Sequence, residues 1–435
     1  MKTQISDIKK MFGGSTSSSR QFGMIFTLAG IIVLFQILTH GLTLDPVNLI
    51  AIVSQYSYIL ILAIGMVMVI ILGNIDLSVG SVAAVAGIVV AKAMESGHVP
   101  WPLAILIGLG IGAVIGAWQG FWVAYIGVPA FIVTLAGMLL FRGMNQFIGN
   151  ANTIPVPEGF RKIGAGYLPE IGPDTQYNNL TLVLGLLIAI FLVVREFRLR
   201  KTQSEMDSAM APLWVSIVKV TVLVAIVMTA AFLFAGGRKG TSFPISGIIL
   251  VVLVVVYSFI TNNMIFGRHI YAVGGNRLAA QLSGVKSKRV HFLVMMNMSI
   301  LAALAGMIFV ARSAASGPQD GLNWELDAIA ACFIGGAAVA GGSGTVTGSI
   351  VGGLVMAVLN NGLQLMGVGA DKVQMIKGLV LLIAVGIDVY NKSQGKPSLT
   401  GFLTRRFQKD EPAGDTHGPA VVASEGVRPS AAKPN

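Results

Sequence analysis

Ionisable side chains are scarce in this sequence, so the few that stand beside long apolar stretches are where chemistry would have to be done. Asp76 and Ser78 lie in NIDLSVGS, residues 74–81, where a polar break gives way to an apolar run. Asp327 opens a second run in the same manner, in WELDAIAACFIGG, residues 324–336. An acid at such a point can accept from the free N–H groups of a helix start and meet the positive end of its dipole. It can also hold a broken-helix connection beside a transport pathway. Arg142, deep in an otherwise apolar run, needs a partner, water or a path to the headgroups.

No set of residues suits hydrolysis or metal-assisted catalysis, and no cofactor is expected. GxxxxGK[ST], HExxH and GxSxG do not occur, and the glycines of AGGSGTVTGS, residues 340–349, have no lysine to reach a phosphate. The GxGxxA pattern of Gly108, Gly110 and Ala113 falls inside an apolar helix with no strand before it, so it is no dinucleotide fingerprint. The single cysteine, Cys332, rules out a disulfide framework and a thiolate metal site within this chain, and reads as packing.

The elements that must position these residues are membrane helices. Of 435 residues, 54% are hydrophobic and 11% charged, against roughly a quarter charged in a soluble domain. The fold class is all-α and polytopic, because spanning helices satisfy their own backbone polar groups. Apolar runs of about 20 residues predict about twelve crossings, at residues 22–40, 48–72, 77–97, 102–125, 129–148, 178–194, 213–235, 245–262, 291–311, 326–342, 344–366 and 372–391. The first run is too long for a secretory h-region and lacks a small-residue cleavage site, so it reads as a retained helix. Residues 1–21 precede the membrane domain of 22–391, and the Ala-, Pro- and Gly-rich tail of 392–435 reads as disordered.

With both termini in the cytoplasm, residues 195–201, 267–289 and 392–409 share one side, and these are the most basic stretches. The net charge of +11 therefore sets orientation and does not point to nucleic acid. The connectors 149–179 and 312–325 fall on the outer side. Glycines spaced by four follow each acidic opening: Gly108, Gly112, Gly116 and Gly120, then Gly344, Gly348 and Gly352. Such a spacing lets helix backbones approach closely. The helix count gives the two units opposite orientations, the pattern of an inverted repeat.

Residues 267–289 are too polar to cross. NRLAAQLSG, residues 276–284, reads as a short helix with Asn276 as cap and Gly284 as stop, suited to docking in a groove of a soluble partner.

Five patches, NIDLSVGS, VPAFIVTLAGMLLFRGM (residues 128–144), GRHIYAVGGNRLAAQLSGV (267–285), ELDAIAACFIGG (325–336) and AGGSGTVTGSIVGG (340–353), occur in one order. In this the chain resembles the permeases of bacterial ABC importers for monosaccharides, in the ribose and xylose branch, over residues 46–391. An extra hairpin at about residues 195–240 makes it more similar to the longer xylose and multiple-monosaccharide permeases. The resemblance implies a bacterial inner-membrane subunit that is no enzyme itself. It works as a homodimer, or with a close relative, with a cytoplasmic ABC ATPase and a periplasmic sugar-binding protein.

The resemblance further implies that Gly274, Gly275, Asn276, Ala279, Ala280, Leu282, Ser283, Gly284 and Val285 form the segment pushed by the ATPase. Phe131, Thr134, Met138 and Arg142 are expected on the sugar pathway, with Asn360, Asn361 and Gln364 as partners for sugar hydroxyls. Asp76, Ser78 and Asp327 are expected at helix breaks that gate it. The rival readings are a permease of the same architecture for another solute, such as branched-chain amino acids, and an ion-coupled carrier working alone. A structural subunit without a pathway is a third.

Overall fold

A computed structural model describes residues 16–173, 175–205, 213–237 and 240–393. Helices dominate it, and each of the twelve expected crossings overlaps one. In chain order these are α1 (Thr16–Leu38), α2 (Pro46–Ile71), α3 (Val79–Glu95), α4 (Trp101–Phe121) and α5 (Ala130–Ile148). After a short outer helix, α6 (Glu158–Ala165), come α7 (Asn179–Glu205), α8 (Leu213–Ala235) and α9 (Ile245–Asn263). The polar segment forms α10 (Ile265–Gly275) and α11 (Arg277–Leu282), and the chain continues as α12 (Ser287–Ser313), α13 (Trp324–Ile334), α14 (Val346–Leu365) and α15 (Ala370–Ser393).

Among the described residues, eight helices are long and apolar enough to cross a membrane: α2, α4 with its continuation to Ile126, α5, α7 to Thr202, α8, α9, α12 and α14. Of the four other expected crossings, that at 326–342 falls short for a physical reason, the length of its helix. The 11 residues of α13 extend about 16 Å at 1.5 Å per residue, half of a hydrocarbon core of about 30 Å. The expected crossing at 326–342 is thus a half-helix that stops at Ile334 and a non-helical stretch that follows it. Hydropathy merged the two because both are apolar. The 17 residues of α3 are also short.

Burial separates the helices into centre and periphery. α2, α12 and α14 are mostly enclosed by protein, whereas α7 and α8 pack chiefly on each other and bury few of their residues, as lipid-facing helices do. The expected inserted hairpin at 195–240 thus covers the end of α7 and the whole of α8, apart from residues 206–212 and 238–239, which lie outside the described residues. The expected disordered tail lies outside them as well, as do residues 1–15 at the amino-terminal end.

Glycine sets the closeness of the centre. α4 lays Gly108, Gly112, Gly116 and Gly120 along α12, where added Cβ atoms would strike Met307, Ala303, Met296 and Phe292. On the other side of α12, Gly306 meets the carbonyl of Ala83 on α3 so closely that no Cβ fits. The second glycine series is used likewise: Gly348 and Gly352 of α14 rest on the backbone of α13 at Gly335 and Ala331. Gly344 precedes that helix and belongs to the connector.

The two connectors expected on the outer side meet. Ile154 and Pro155 pair antiparallel with Ser316 and Ala315 in a short two-strand ladder, and α6 packs on α12.

Candidate functional site: two helix starts and a glycine junction

The amino-terminal ends of α3 and α13 face each other. Gly80, in the first turn of α3, presses against the backbone of Gly321 and the carboxylate of Glu325, and α13 begins at Trp324. Two positive dipole ends brought together favour negative groups between them, which accounts for acids at both openings. Asp76 is fully buried before α3. Its Oδ1 accepts from the Ser78 amide at 2.8 Å and from the Ser78 hydroxyl at 2.6 Å. The Ser78 hydroxyl in turn accepts from Gln119 Nε2 of α4 at 2.7 Å. Asp76 therefore caps the turn before the helix, and Ser78 hands its hydroxyl to the neighbouring helix.

α5 lines this arrangement along one face. Thr134, Gly137, Phe141 and Asn145 recur at intervals of three and four and are all buried. Thr134 donates to the Ile75 carbonyl at 3.3 Å, Gly137 lies against Gln119 and Ser78, and Asn145 donates to the Gly317 and Pro318 carbonyls at 3.2 Å. Arg142 pairs with Glu325 at 3.9 Å. Asp76, Gln119, Asn145 and Glu325 each keep one buried oxygen with no hydrogen-bond donor among the described residues. Hydrophobic packing alone would leave no polar seam of this kind. Of the four residues expected on the pathway from this helix, Thr134 faces the seam, Arg142 reaches Glu325, Met138 is half-buried, and Phe131 is 55% exposed.

The expected residues of α14 sit in a different neighbourhood, because α14 packs on α13, α2 and α1 whereas α5 packs on α3. Asn361 and Asn48 exchange both amide hydrogen bonds at 2.9 Å, Asn360 bonds the Tyr56 hydroxyl, and Gln364 is exposed. Asp327 makes an ion pair with Lys377 of α15. Beside it, Tyr58, Phe309 and Trp324 form a cluster of rings with centroids 4.4 to 5.1 Å apart. A cavity of about 500 Å³ lies elsewhere, between the outer connector and the end of α8, and is lined by Tyr167, Glu170 and Tyr177 among others.

At the other end of the α2–α3 connector the polar segment comes in. Asn276 caps α11 by accepting from the Ala279 amide at 2.9 Å, and Gly284 follows with φ +85°, the cap and stop that the spacing predicts. Leu278 and Leu282 are 67% and 82% exposed, while Ala280 is buried under them. Gly275, Asn276, Ala279, Ser283 and Gly284 are exposed too, and Gly274 and Val285 are half-buried. Behind this surface three backbones converge. The Gly342 amide donates to the Ile71 carbonyl at 2.8 Å, and Gly274 packs on that same carbonyl. The Tyr271 hydroxyl donates to the Gly344 carbonyl at 2.8 Å, and burial raises this hydroxyl above its ordinary value, so it stays a donor.

Gln119, Asn145, Glu325, Lys377 and Tyr271 were not singled out from the sequence. Gln119 carried a signal, a polar side chain within a glycine-faced apolar helix, and Asn145 stands three residues after Arg142 on the same face.

Residues 48–385 match the family model described as branched-chain amino acid transport system / permease component. The xylose transport system permease protein XylH of Haemophilus influenzae is 37% identical over 385 residues, covering 88% of this chain and all of that one. XylH of Escherichia coli K12 is 38% identical over 383 residues, 88% of this chain and 95% of that one. The ribose import permease protein RbsC of the same strain is 33% identical over 347 residues, 80% and 86% of the two chains. No solved structure matches the chain. A polytopic helical chain that aligns over nearly its whole membrane domain with such proteins belongs to this family of importer permease components, in the branch of the xylose and ribose permeases.

Proposed function

We propose that the chain is the membrane permease of an ATP-driven, binding-protein-dependent importer of monosaccharides, of the xylose type or with several sugars as substrates. It resides in the bacterial inner membrane with both termini in the cytoplasm and works as a homodimer. A cytoplasmic ABC ATPase docks on residues 267–289, and a periplasmic sugar-binding protein delivers the sugar to the outer connectors.

The observation that carries this reading is the convergence of two helix starts, those of α3 and of the half-helix α13, on a buried polar seam, joined through one connector to an exposed helical knob. Half-helix ends at a repeat interface are where transporters place their sites. Alternating access follows. The ATPase moves α10 and α11 through Gly274, Gly275, Asn276, Ala279, Ala280, Leu282, Ser283, Gly284 and Val285. The breaks at Asp76, Ser78 and Asp327 then shift the helices that carry Thr134, Met138 and Arg142. Phe131, exposed in the first turn of α5, meets the sugar as well. Asn360 and Gln364 offer amides to sugar hydroxyls, and Asn361 does so when its pair with Asn48 opens. Weak contacts suit a conduit that must release what it admits.

Vesicles containing the chain with its ATPase and binding protein should accumulate labelled pentose or hexose only when ATP is supplied on the ATPase side. Accumulation without the ATPase, following an ion gradient, would make the chain a secondary carrier. Accumulation of branched-chain amino acids in place of sugars would reassign the solute.

A further inference from the structure

Residues 265–282 touch the membrane domain by two routes. One is covalent, through α9 and α12, between which α10 and α11 are strung. The other is a side contact, and it reaches both helix breaks at once. Gly274 packs on the last carbonyl of α2, that of Ile71, next to the connector that carries Asp76. Tyr271 bonds the Gly344 carbonyl, and Gly342 bonds the Ile71 carbonyl and lies against Gly275. Gly341 lies against Gly73 and closes the junction.

The geometry of the second route is suited to carrying displacement. Gly341, Gly342 and Gly73 have φ of +82°, +73° and +75°, a region in which other residues are strained, so the backbones meet with no side-chain layer to absorb movement. Residues 335–344 form no helix that could yield by bending. They are cross-tied internally by the Ala338 amide to the Ser343 carbonyl and the Gly341 amide to the Ala338 carbonyl, both 3.0 Å. That tied loop runs directly into α13, which carries Glu325 and Asp327, and into α14. Tyr271 is the side chain of α10 that grips it.

We infer that Tyr271 is a positioning residue for transport: its hydroxyl ties the ATPase-docking segment to the 335–344 loop, so that movement of the segment reaches the half-helix α13 by this side contact and not through α12 alone. The inference rests on the importer reading above. It assigns Tyr271 no contact with sugar or nucleotide.

The test uses the full chain assembled with its ATPase and binding protein in vesicles, and reads three quantities: ATPase retained on the permease, ATP hydrolysed, and sugar accumulated. Tyr271→Phe keeps the ring and removes the bond. It should retain the ATPase and its hydrolysis, while sugar accumulated per ATP falls roughly fivefold or more, the lower range of coupling between sites. Gly342→Ala, which forces a Cβ toward Gly275 at positive φ, should act in the same direction. Gly110→Ala, with nothing within 4 Å of the new Cβ, should match the unaltered chain.

An unchanged ratio of sugar to ATP in both Tyr271→Phe and Gly342→Ala would overturn the inference. So would release of the ATPase by Tyr271→Phe, since the residue would then only shape the docking surface. Failure of the unaltered complex to accumulate any sugar would bring down the importer reading itself, a result distinct from these.

Discussion

Arg142 on α5 reaches Glu325 at the start of α13, with its guanidinium nitrogen 3.9 Å from a carboxylate oxygen that is almost wholly enclosed. This pair links the helix lining the polar seam to the half-helix that opens beside it. Arg142→Leu would strand the Glu325 charge, and breaking such a pair costs about 1–4 kcal/mol, reduced here because the arginine is a third exposed. The melting temperature in detergent should fall in Arg142→Leu and recover in Arg142→Leu/Glu325→Gln. Equal melting of the single and double variants would show that the two charges are independent.

Gly306 and Gly110 make a paired test of the packing. A methyl group on Gly306 would overlap the Ala83 backbone, whereas one on Gly110 meets nothing. Gly306→Ala should cost about 1–3 kcal/mol or prevent stable insertion, as overpacking does. Gly110→Ala should be neutral or slightly stabilising. Comparable melting of the two would contradict the contact between α3 and α12.

Asn48 and Asn361 satisfy each other, with two bonds at 2.9 Å. Asn361→Ala should cost about 1–2 kcal/mol, the loss from an unsatisfied buried partner. If Asn361 turns to the sugar during transport, Asn48→Ala should change apparent sugar affinity less than Asn361→Ala does. Equal effects on affinity would confine the pair to packing.

Asp320 gives a pH dependence in the outer connector. Burial pushes its carboxyl above the ordinary carboxylate value, partly offset by bonds from the Gly317 amide and the Ser316 hydroxyl. A raised folded value means that folding takes up a proton. The stability contributed by this group is complete below its unfolded value and is lost as pH rises through the folded one. Melting curves over that range should show Asp320→Asn gaining on the unaltered chain as pH increases. A gap that is constant with pH would contradict the burial.

Much of this architecture is legible in the residues themselves. Every expected crossing overlaps a helix, because hydropathy reports where the chain is apolar. It does not report where helical hydrogen bonding stops, and so the end of α13 at Ile334 was missed. The Asn276 cap and Gly284 stop were readable since both act within a few residues. The distant partners of Ser78, Arg142 and Asp327 were not, because Gln119, Glu325 and Lys377 are set by how distant helices pack. Tyr271 gave no signal at all: its importance depends on a loop more than seventy residues away in sequence.

The most direct test of the account is where Leu282 lies and what covers it. The native cysteine, Cys332, is buried, so Leu282→Cys can report alone with a membrane-impermeant maleimide. The account predicts labelling in inside-out vesicles but not in right-side-out ones, and protection when the ATPase is bound. Labelling from the outer side, or labelling unaffected by the ATPase, would contradict it.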